Sequence, residues 1–81
     1  MKVLFSDRFS RSFQNAPDRV QRDFGKQLGH HLRNLQHPSL KAKKYDEKKD
    51  IWQARVNDYW RFYFRIEGDT YHLADITPHP K

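Results

Sequence analysis

The chain has 81 residues, no cysteine, and 16 lysine and arginine residues against 10 aspartate and glutamate residues, which gives a net charge of +6. This length predicts a single domain over residues 1–81. The lack of cysteine excludes a disulfide framework and a thiolate zinc site, and favours a reducing compartment. The opening apolar run spans only three residues, too few for a signal peptide or a membrane span, so we expect a cytoplasmic protein with no membrane partner. The positive charge favours a polyanionic partner, either nucleic acid or an acidic protein.

A short aromatic helix is predicted after an opening strand. Residues 2–5 are mostly apolar and predict the strand, and Ser6 or Asp7 then offers a side-chain oxygen that can cap a helix. Phenylalanine recurs every four residues at positions 5, 9 and 13, a spacing that predicts a short helix with an aromatic stripe. We therefore predict a helix over residues 8–14.

A longer amphipathic helix follows. Pro17 suits a first helical turn, because the N–H that proline lacks would have no partner there. Apolar residues then repeat at spacings of three and four, which predicts a helix that ends before Pro38: Val20, Phe24, Leu28, Leu32 and Leu35. Gly25 and Gly29 lie within this helix and predict the close approach of a neighbouring helix or sheet.

The apolar pattern disappears between this helix and the last third of the chain. Residues 37–50 include five lysines between Lys41 and Lys49, interrupted by Asp46 and Glu47. This composition predicts a solvated loop or an irregular strand.

The last third of the chain alternates polar and apolar residues with a period of two, which is typical of β-strands. Two such runs, residues 51–57 and 60–66, precede a turn at 67–69 and a final strand over 70–77. Because the connections are short, these three strands form an antiparallel meander. The predicted fold class is α+β in the order β-α-α-β-β-β, with two helices packed on one face of a small, mostly antiparallel sheet.

One face of this predicted sheet is cationic and aromatic. Side chains alternate between the two faces of a strand. If the apolar residues pack against the helices, the opposite face carries Gln53, Arg55, Asn57, Tyr59, Arg61, Tyr63 and Arg65. These two strands place no carboxylate on it. Guanidinium groups match the geometry of phosphate, and tyrosine rings stack on bases, so this face predicts RNA binding.

Histidine offers further chemistry near this face. His79 follows the last predicted strand, where an imidazole can reach the arginines and transfer protons near neutral pH. No pair or trio of histidines has the spacing of metal ligands, and the chain has neither a nucleophile elbow nor a phosphate-binding glycine loop. We therefore expect no metal and no small-molecule cofactor.

The order and spacing of several short motifs resemble those of the RelE/ParE toxin superfamily over nearly the whole chain. In that family an HP-x-L segment leads into a strand ending in Arg-Val or Arg-Ile. A strand of the form Arg-apolar-Tyr follows, and then a last strand that ends near a histidine. In this chain the corresponding pieces are residues 37–40, 55–56, 61–63 and 76–79.

The resemblance implies the toxin of a type II toxin–antitoxin system, neutralised by a cognate antitoxin protein. RelE-like members are mRNA interferases, which enter the ribosome, cut the message there and so inhibit translation. The message's own 2′-OH attacks the adjacent phosphate, and this endoribonuclease reaction requires no metal.

The resemblance also implies roles for individual residues. Arg61 matches the family's catalytic arginine, His79 matches a terminal histidine that acts as acid or base, and Arg55 implies a phosphate contact. Members place a basic or acidic catalytic group before this strand, and four residues are candidates for the general base: Lys43, Lys44, Glu47 and Lys48. Of these, Lys44 and Glu47 are the catalytic candidates we predict. The remaining cationic and aromatic residues are assigned to RNA binding: Lys41, Lys43, Lys48, Tyr63 and Arg65.

Two alternatives stay open. Members with the terminal histidine commonly follow it with a tyrosine, whereas this chain has Pro80. A ParE-like topoisomerase inhibitor that cuts no nucleic acid shares the fold and needs only a binding surface. A basic RNA- or ribosome-binding module without toxicity is the second alternative.

Overall fold

The computed structural model describes residues 2–33 and 42–78, which form two helices and five strands. In chain order these are β1 (Lys2–Phe5), α1 (Asp7–Asn15), α2 (Asp18–Arg33), β2 (Lys43–Asp46), β3 (Ile51–Arg55), β4 (Trp60–Glu67) and β5 (Thr70–Pro78). The predicted order is confirmed, with β2 as an additional strand where the sequence predicted a loop or an irregular strand.

The five strands form one sheet in the order β1-β5-β4-β3-β2. β1 runs parallel to β5 and the other neighbouring pairs are antiparallel, so the α+β class and the mostly antiparallel sheet are confirmed. β2 lies at an edge and contains two lysines, residues that discourage unwanted pairing at sheet edges. A bulge between Lys44 and Asp46 also interrupts its alternation, which is why no strand pattern is visible in the sequence.

Aromatic side chains from both helices and the central strand build the core. Phe24 of α2 joins the layers, because its ring centroid lies 5.2 Å from that of Phe9 in α1 and 5.2 Å from that of Phe62 in β4. Phe62 and Phe64 are fully buried. We call the sheet surface that bears these two side chains the inner face and the opposite surface the outer face. Both helices therefore pack on the inner side of the sheet, as predicted.

Helix α1 covers an edge of β5 that β1 leaves open. β1 ends at Phe5, and the rest of β5 has no neighbouring strand on that side within the described residues. The Ser6 hydroxyl accepts a hydrogen bond from the Phe9 N–H at 3.0 Å, which caps the helix, and donates one to the Ala74 carbonyl at 2.9 Å. One side chain thus starts α1 and fixes it to the strand edge.

The long helix α2 packs by its apolar stripe and not by its glycines. Gly25 and Gly29 are exposed, and a Cβ added at either position would meet nothing within 4 Å. The predicted close approach is therefore wrong, because Val20 and Phe24 are the buried positions of this segment. Neither α1 nor the described part of α2 is long and apolar enough to cross a membrane.

The predicted outer face is interrupted between β3 and β4. Asn57 and Tyr59 lie in a loop and not on the face, because the Asn57 side-chain oxygen accepts hydrogen bonds from the Tyr59 N–H at 2.9 Å and the Trp60 N–H at 3.1 Å. The Asn57 amide also donates to Asp23 of α2 at 3.0 Å. The other residues of the predicted face do lie opposite the helices: Gln53, Arg55, Arg61, Tyr63 and Arg65.

Candidate functional site

Two arginines stand side by side on the outer face. Arg55 of β3 pairs with Arg61 of β4 in the antiparallel register, and Thr77 of β5 lies on the other side of Arg61. Directly opposed residues have Cβ atoms about 4.5–5.5 Å apart, and like charges at that spacing are destabilising. This pair therefore needs local compensation.

The loop between β3 and β4 supplies that compensation. Arg55 Nη2 lies 2.8 Å from Asp58 Oδ1, while Arg61 Nη1 donates to the Asn57 carbonyl at 2.6 Å and to the Trp60 carbonyl at 2.9 Å. Among the described residues Arg61 has no carboxylate partner, and the buried Arg55 Nε has no hydrogen-bond partner. β3 brings no carboxylate to this face, but β4 ends at Glu67, which lies beside Arg65, and the loop adds Asp58, so the expectation of a face without carboxylates is wrong at both ends of β4. Both guanidinium groups are held in place, and the unused N–H groups of Arg61 can bind an anion.

The next row of the outer face is aromatic. Tyr63 of β4 lies opposite Gln53 of β3, whose Nε2 donates to Tyr63 Oη at 3.1 Å. Gln53 is buried, so this hydrogen bond satisfies an amide that would otherwise be costly to bury. The Tyr63 ring also meets the ring of Tyr45 edge-on, with centroids 5.1 Å apart. Tyr45 is 62% exposed. The row therefore combines one fixed tyrosine with one that faces solvent.

A carboxylate and a further arginine lie beside the tyrosines. Asp75 of β5 is opposite Tyr63 in the register. Asp75 Oδ1 accepts a hydrogen bond from Ser12 Oγ at 2.7 Å, and its Oδ2 lies 3.3 Å from Arg8 Nε. The Arg8 side chain is 77% exposed whereas that of Asp75 is 18% exposed. Asp75 therefore anchors an arginine whose outer part is in solvent.

These side chains surround a groove of about 540 Å³. Its lining residues are Ser6, Arg8, Tyr45, Ile51, Tyr63, Ala74, Asp75 and Thr77. Tyr63 follows Arg61 by two residues on β4, a distance of about 7 Å along a strand. The groove is therefore adjacent to the paired arginines.

The third predicted arginine, Arg65, lies apart from the other two. It is four residues beyond Arg61 on β4, about 13 Å along the strand. Arg65 Nη2 lies 3.6 Å from Glu67 Oε1, and His72, its partner on β5, lies 3.6 Å from Glu67 Oε2. Arg65 thus belongs to an acid-balanced cluster at the far end of β4.

The basic segment before β3 is divided between the two faces. Lys43 pairs with Gln53 and lies on the outer face, whereas Lys44 pairs with Trp52 and lies on the inner face. The Lys44 ammonium lies 5.2 Å from the centroid of the Trp52 ring and forms an ion pair with Asp50. The structure therefore does not bring Lys44 to Arg61.

The remaining predicted residues lie elsewhere. Glu47 and Lys48 are in the turn between β2 and β3, at the opposite end of β3 from Arg55, a separation of about 13 Å along the strand. Lys41 and His79 lie outside the described residues, and their roles stay predictions.

Sequence reasoning missed three residues that line the groove and one that holds Arg55, and only Asp75 left a signal in the sequence. The four residues are Arg8, Tyr45, Asp75 and Asp58. In β5 both Leu73 and Ile76 are buried, although they are three residues apart. A bulge between Tyr63 and Phe64 of β4 and the facing part of β5 accounts for this spacing and turns Asp75 to the outer face. The signal in the sequence was Asp75 itself, a polar residue within the otherwise apolar alternation of β5. Arg8 in a first helical turn and Tyr45 in a bulged strand belong to no periodic pattern.

The chemistry of this surface suits anions and planar rings. Among the described residues no group of three or more histidine, cysteine, aspartate or glutamate side chains is arranged to hold a metal ion. Guanidinium forks bind phosphate oxygens in pairs, and exposed tyrosine rings stack on bases. The groove and the paired arginines together form a surface that can bind a phosphate-bearing ligand with planar groups.

Comparison with known proteins finds no family model and no curated protein that matches the chain, but solved structures do match it. The YoeB/ParE toxin from Agrobacterium tumefaciens is similar with a TM-score of 0.80 and 15% sequence identity, over 99% of this chain and 100% of that chain. The toxin in the RelB–RelE antitoxin–toxin complex from Methanococcus jannaschii gives 0.76 and 16%, over 93% and 88%. YafQ from E. coli gives 0.73 and 18%, over 96% and 92%.

These similarities extend over nearly the full length of every chain compared. At such low identities they are similarities of fold, and they agree with the strand order and helix placement described above. The chain therefore has the fold of the RelE/ParE toxin superfamily, as its motifs predicted.

Proposed function

We propose that this chain is the toxin of a type II toxin–antitoxin system and that it cuts mRNA on the ribosome. The observation that carries the proposal is the pairing of Arg55 with Arg61 on the outer face, where Arg61 keeps N–H groups that no described residue uses. The similar toxin from Methanococcus jannaschii was crystallised with the antitoxin RelB, which supports a cognate antitoxin as the partner here. The net charge of +6 is also favourable for RNA.

The proposed reaction transfers a phosphodiester to the message's own 2′ oxygen. A base takes the proton of the 2′-OH, whose oxygen then attacks phosphorus. The bond between phosphorus and the 5′ oxygen breaks, and that oxygen takes a proton from an acid. The products are a 2′,3′-cyclic phosphate and a 5′-OH end. Negative charge builds on the phosphate oxygens in the transition state, where a preorganised cation stabilises it most.

The paired arginines suit that task. Arg61 is already oriented by two backbone carbonyls, so little side-chain freedom is lost when its remaining N–H groups meet a phosphate. Arg55, held by Asp58, contacts the same phosphate or the next one. We assign charge stabilisation to Arg61 and substrate positioning to Arg55.

The proton-transfer groups are assigned from position. Thr77 lies opposite Arg61 and precedes His79 by two residues, so we assign His79 as acid or base. Lys43 lies on the outer face and is the candidate base that we favour. Lys44 and Glu47 are left out of the proposed centre because of their places in the fold. We keep Tyr63, Arg65, Lys41 and Lys48 as contacts to the bound RNA.

The test is a bacterial translation extract supplied with purified protein, with message ends mapped by primer extension. We expect wild-type protein to cut at fixed positions within codons, only while ribosomes translate. Arg61→Ala should lower the cleavage rate by about 100-fold or more, since it removes a charge-stabilising group. Arg19→Ala, which removes a similar exposed charge on α2, is the control and should cleave normally. A folded, fully active Arg61→Ala protein would remove Arg61 from the proposed centre.

A ParE-like topoisomerase inhibitor is the second candidate. It is favoured by the fact that Arg55, Arg61 and Arg65 each already have an internal partner, as in a static binding surface. Expression of such a protein would leave messages intact while DNA breaks accumulate. If growth were unaffected without any antitoxin, the chain would be a basic RNA- or ribosome-binding module instead.

A further inference from the structure

The groove beside the paired arginines holds features that cleavage alone does not require. It places an exposed tyrosine, Tyr45, and an exposed arginine, Arg8, on either side of Tyr63 and Asp75. We propose that this groove is a subsite for one nucleotide of single-stranded RNA, next to the phosphate at Arg61. In it the base lies on the Tyr45 ring and a backbone phosphate is bound by Arg8. The identity of the ligand as RNA rests on the proposed function.

Tyr45 is built as a platform for a planar ligand. It falls at the bulge of β2, a distortion that redirects side chains near binding sites. Tyr45 is 62% exposed, yet the orientation of its ring is set by the edge contact with Tyr63, which Gln53 fixes in turn. An aromatic ring held in water in this way can stack on a base at little cost in side-chain entropy.

Arg8 is oriented for a phosphate. Its Nε lies 3.3 Å from Asp75 Oδ2, and its side chain is 77% exposed, so the guanidinium is anchored at one nitrogen while most of the side chain is open to solvent. Asp75 is itself held in place, because its Oδ1 accepts from Ser12 Oγ at 2.7 Å and from the Ile76 N–H at 2.9 Å. Asp75 is therefore a positioning residue that holds Arg8.

The size and position of the groove fit a nucleotide better than a peptide carboxylate. Its volume of about 540 Å³ is in the range of small-molecule sites. An acidic peptide would engage Arg8 but would have no need of a paired tyrosine platform, whereas a nucleotide uses both. The separation of about 7 Å between Tyr63 and Arg61 along β4 puts this subsite directly beside the proposed scissile phosphate. Sheets that carry aromatic residues bind single-stranded RNA in this manner.

The test is the affinity of the whole chain for a short, fluorescently labelled single-stranded RNA, measured by anisotropy without ribosomes. We expect Tyr45→Ala to weaken binding about tenfold or more and Tyr45→Phe to bind as wild type does, because stacking needs the ring alone. Tyr59→Ala is the matched control, since Tyr59 is 56% exposed and lies in the β3–β4 loop. Arg8→Gln should weaken binding and reduce the salt dependence by about one phosphate contact. Arg19→Gln, which removes the same charge from α2, should do so much less.

Three outcomes would overturn the subsite. The first is equal RNA affinity of Tyr45→Ala and Tyr59→Ala, and the second is no measurable RNA binding by wild-type protein. The third is displacement of the RNA by an acidic peptide whose affinity for Tyr45→Ala falls as much as that of the RNA. The last would assign the groove to a protein partner. Circular dichroism and thermal unfolding of each variant separate lost binding from lost folding.

The same reagents distinguish this proposal from the proposed function. Arg61→Ala should lose cleavage and still bind the labelled RNA through the groove. If wild-type protein binds RNA through Tyr45 but cuts no message, the proposed cleavage activity is wrong and the proposed nucleotide subsite stands. If Tyr45→Ala cuts messages normally and binds RNA with unchanged affinity, the proposed subsite is wrong and the proposed cleavage activity stands.

Discussion

Tyr71 carries an ionisable group into the core. The residue is buried, and its ring meets that of Phe64 edge-on with centroids 5.9 Å apart. Burial raises the pKa of the Tyr71 phenol above its ordinary value, because the phenolate would lose its hydration there. As pH rises, the Tyr71 phenol therefore ionises at a lower pH in the unfolded chain than in the folded protein. The contribution of this residue to the free energy of unfolding is intact below about pH 10 and is lost as pH rises through the folded-state pKa.

We expect Tyr71→Phe to reduce the loss of stability at high pH. The free energy of unfolding, measured by denaturant titration from about pH 8 to 11, should fall less steeply in the variant than in wild-type protein above about pH 10. Tyr59→Phe is the control, because it removes the same hydroxyl from a residue that is 56% exposed. Identical slopes in wild type and Tyr71→Phe would contradict the assignment.

At the scale of elements, α1 depends on a single hydroxyl with two partners. Ser6 caps the first turn through Phe9 and ties the helix to β5 through the Ala74 carbonyl. We expect Ser6→Ala to lower the free energy of unfolding by about 1–2 kcal/mol, the range found for lost helix caps. Ser6→Asp retains the acceptor for the Phe9 N–H but not the donor to Ala74, so its loss should be smaller. If Ser6→Ala were as stable as wild type in a urea titration, neither hydrogen bond of Ser6 would contribute to the free energy of unfolding.

The elements also differ in how far the sequence determined them. Both helices and the last three strands followed from periodicity, because each buries one face against the core. β2 could not be assigned, since an exposed edge strand with a bulge has no buried face to produce a pattern. The alternation of β3 and β4 placed Arg55, Arg61 and Tyr63 together. Asp75 and Arg8 were not predicted to belong to the site. Asp75 reaches the outer face because of a bulge in β5, and Arg8 reaches it because α1 packs against that strand.

At the scale of the whole molecule, one aromatic chain of contacts holds the layers together. Phe24 meets Phe9 and Phe13 of α1 and Phe62 of β4, all with centroid distances between 5.2 and 5.5 Å. A small chain buries proportionally less surface than a large one, so its core residues carry a large share of its stability. Total stability for this length is on the order of 4–12 kcal/mol.

We expect Phe24→Ala to lower the free energy of unfolding by about 3–5 kcal/mol, because it leaves a cavity at the meeting point of three elements. Phe5→Ala should cost much less, since Phe5 is 52% exposed although it also contacts Phe9. Chemical denaturation of both variants gives the comparison. Equal losses would mean that Phe24 does not join the layers as described.

The insertion of β5 between β1 and β4 has a consequence for the order of events during synthesis. Ser6 bonds to Ala74, 68 positions later, so β1 and α1 have no sheet to join until β5 has been translated. At about 5–20 residues per second this wait lasts roughly 3–14 s. Thr77 and Asp75, which complete the arginine row and the groove, also arrive with β5. The nascent chain therefore acquires its outer face only after β5 has been translated, although β2, β3 and β4 are made earlier.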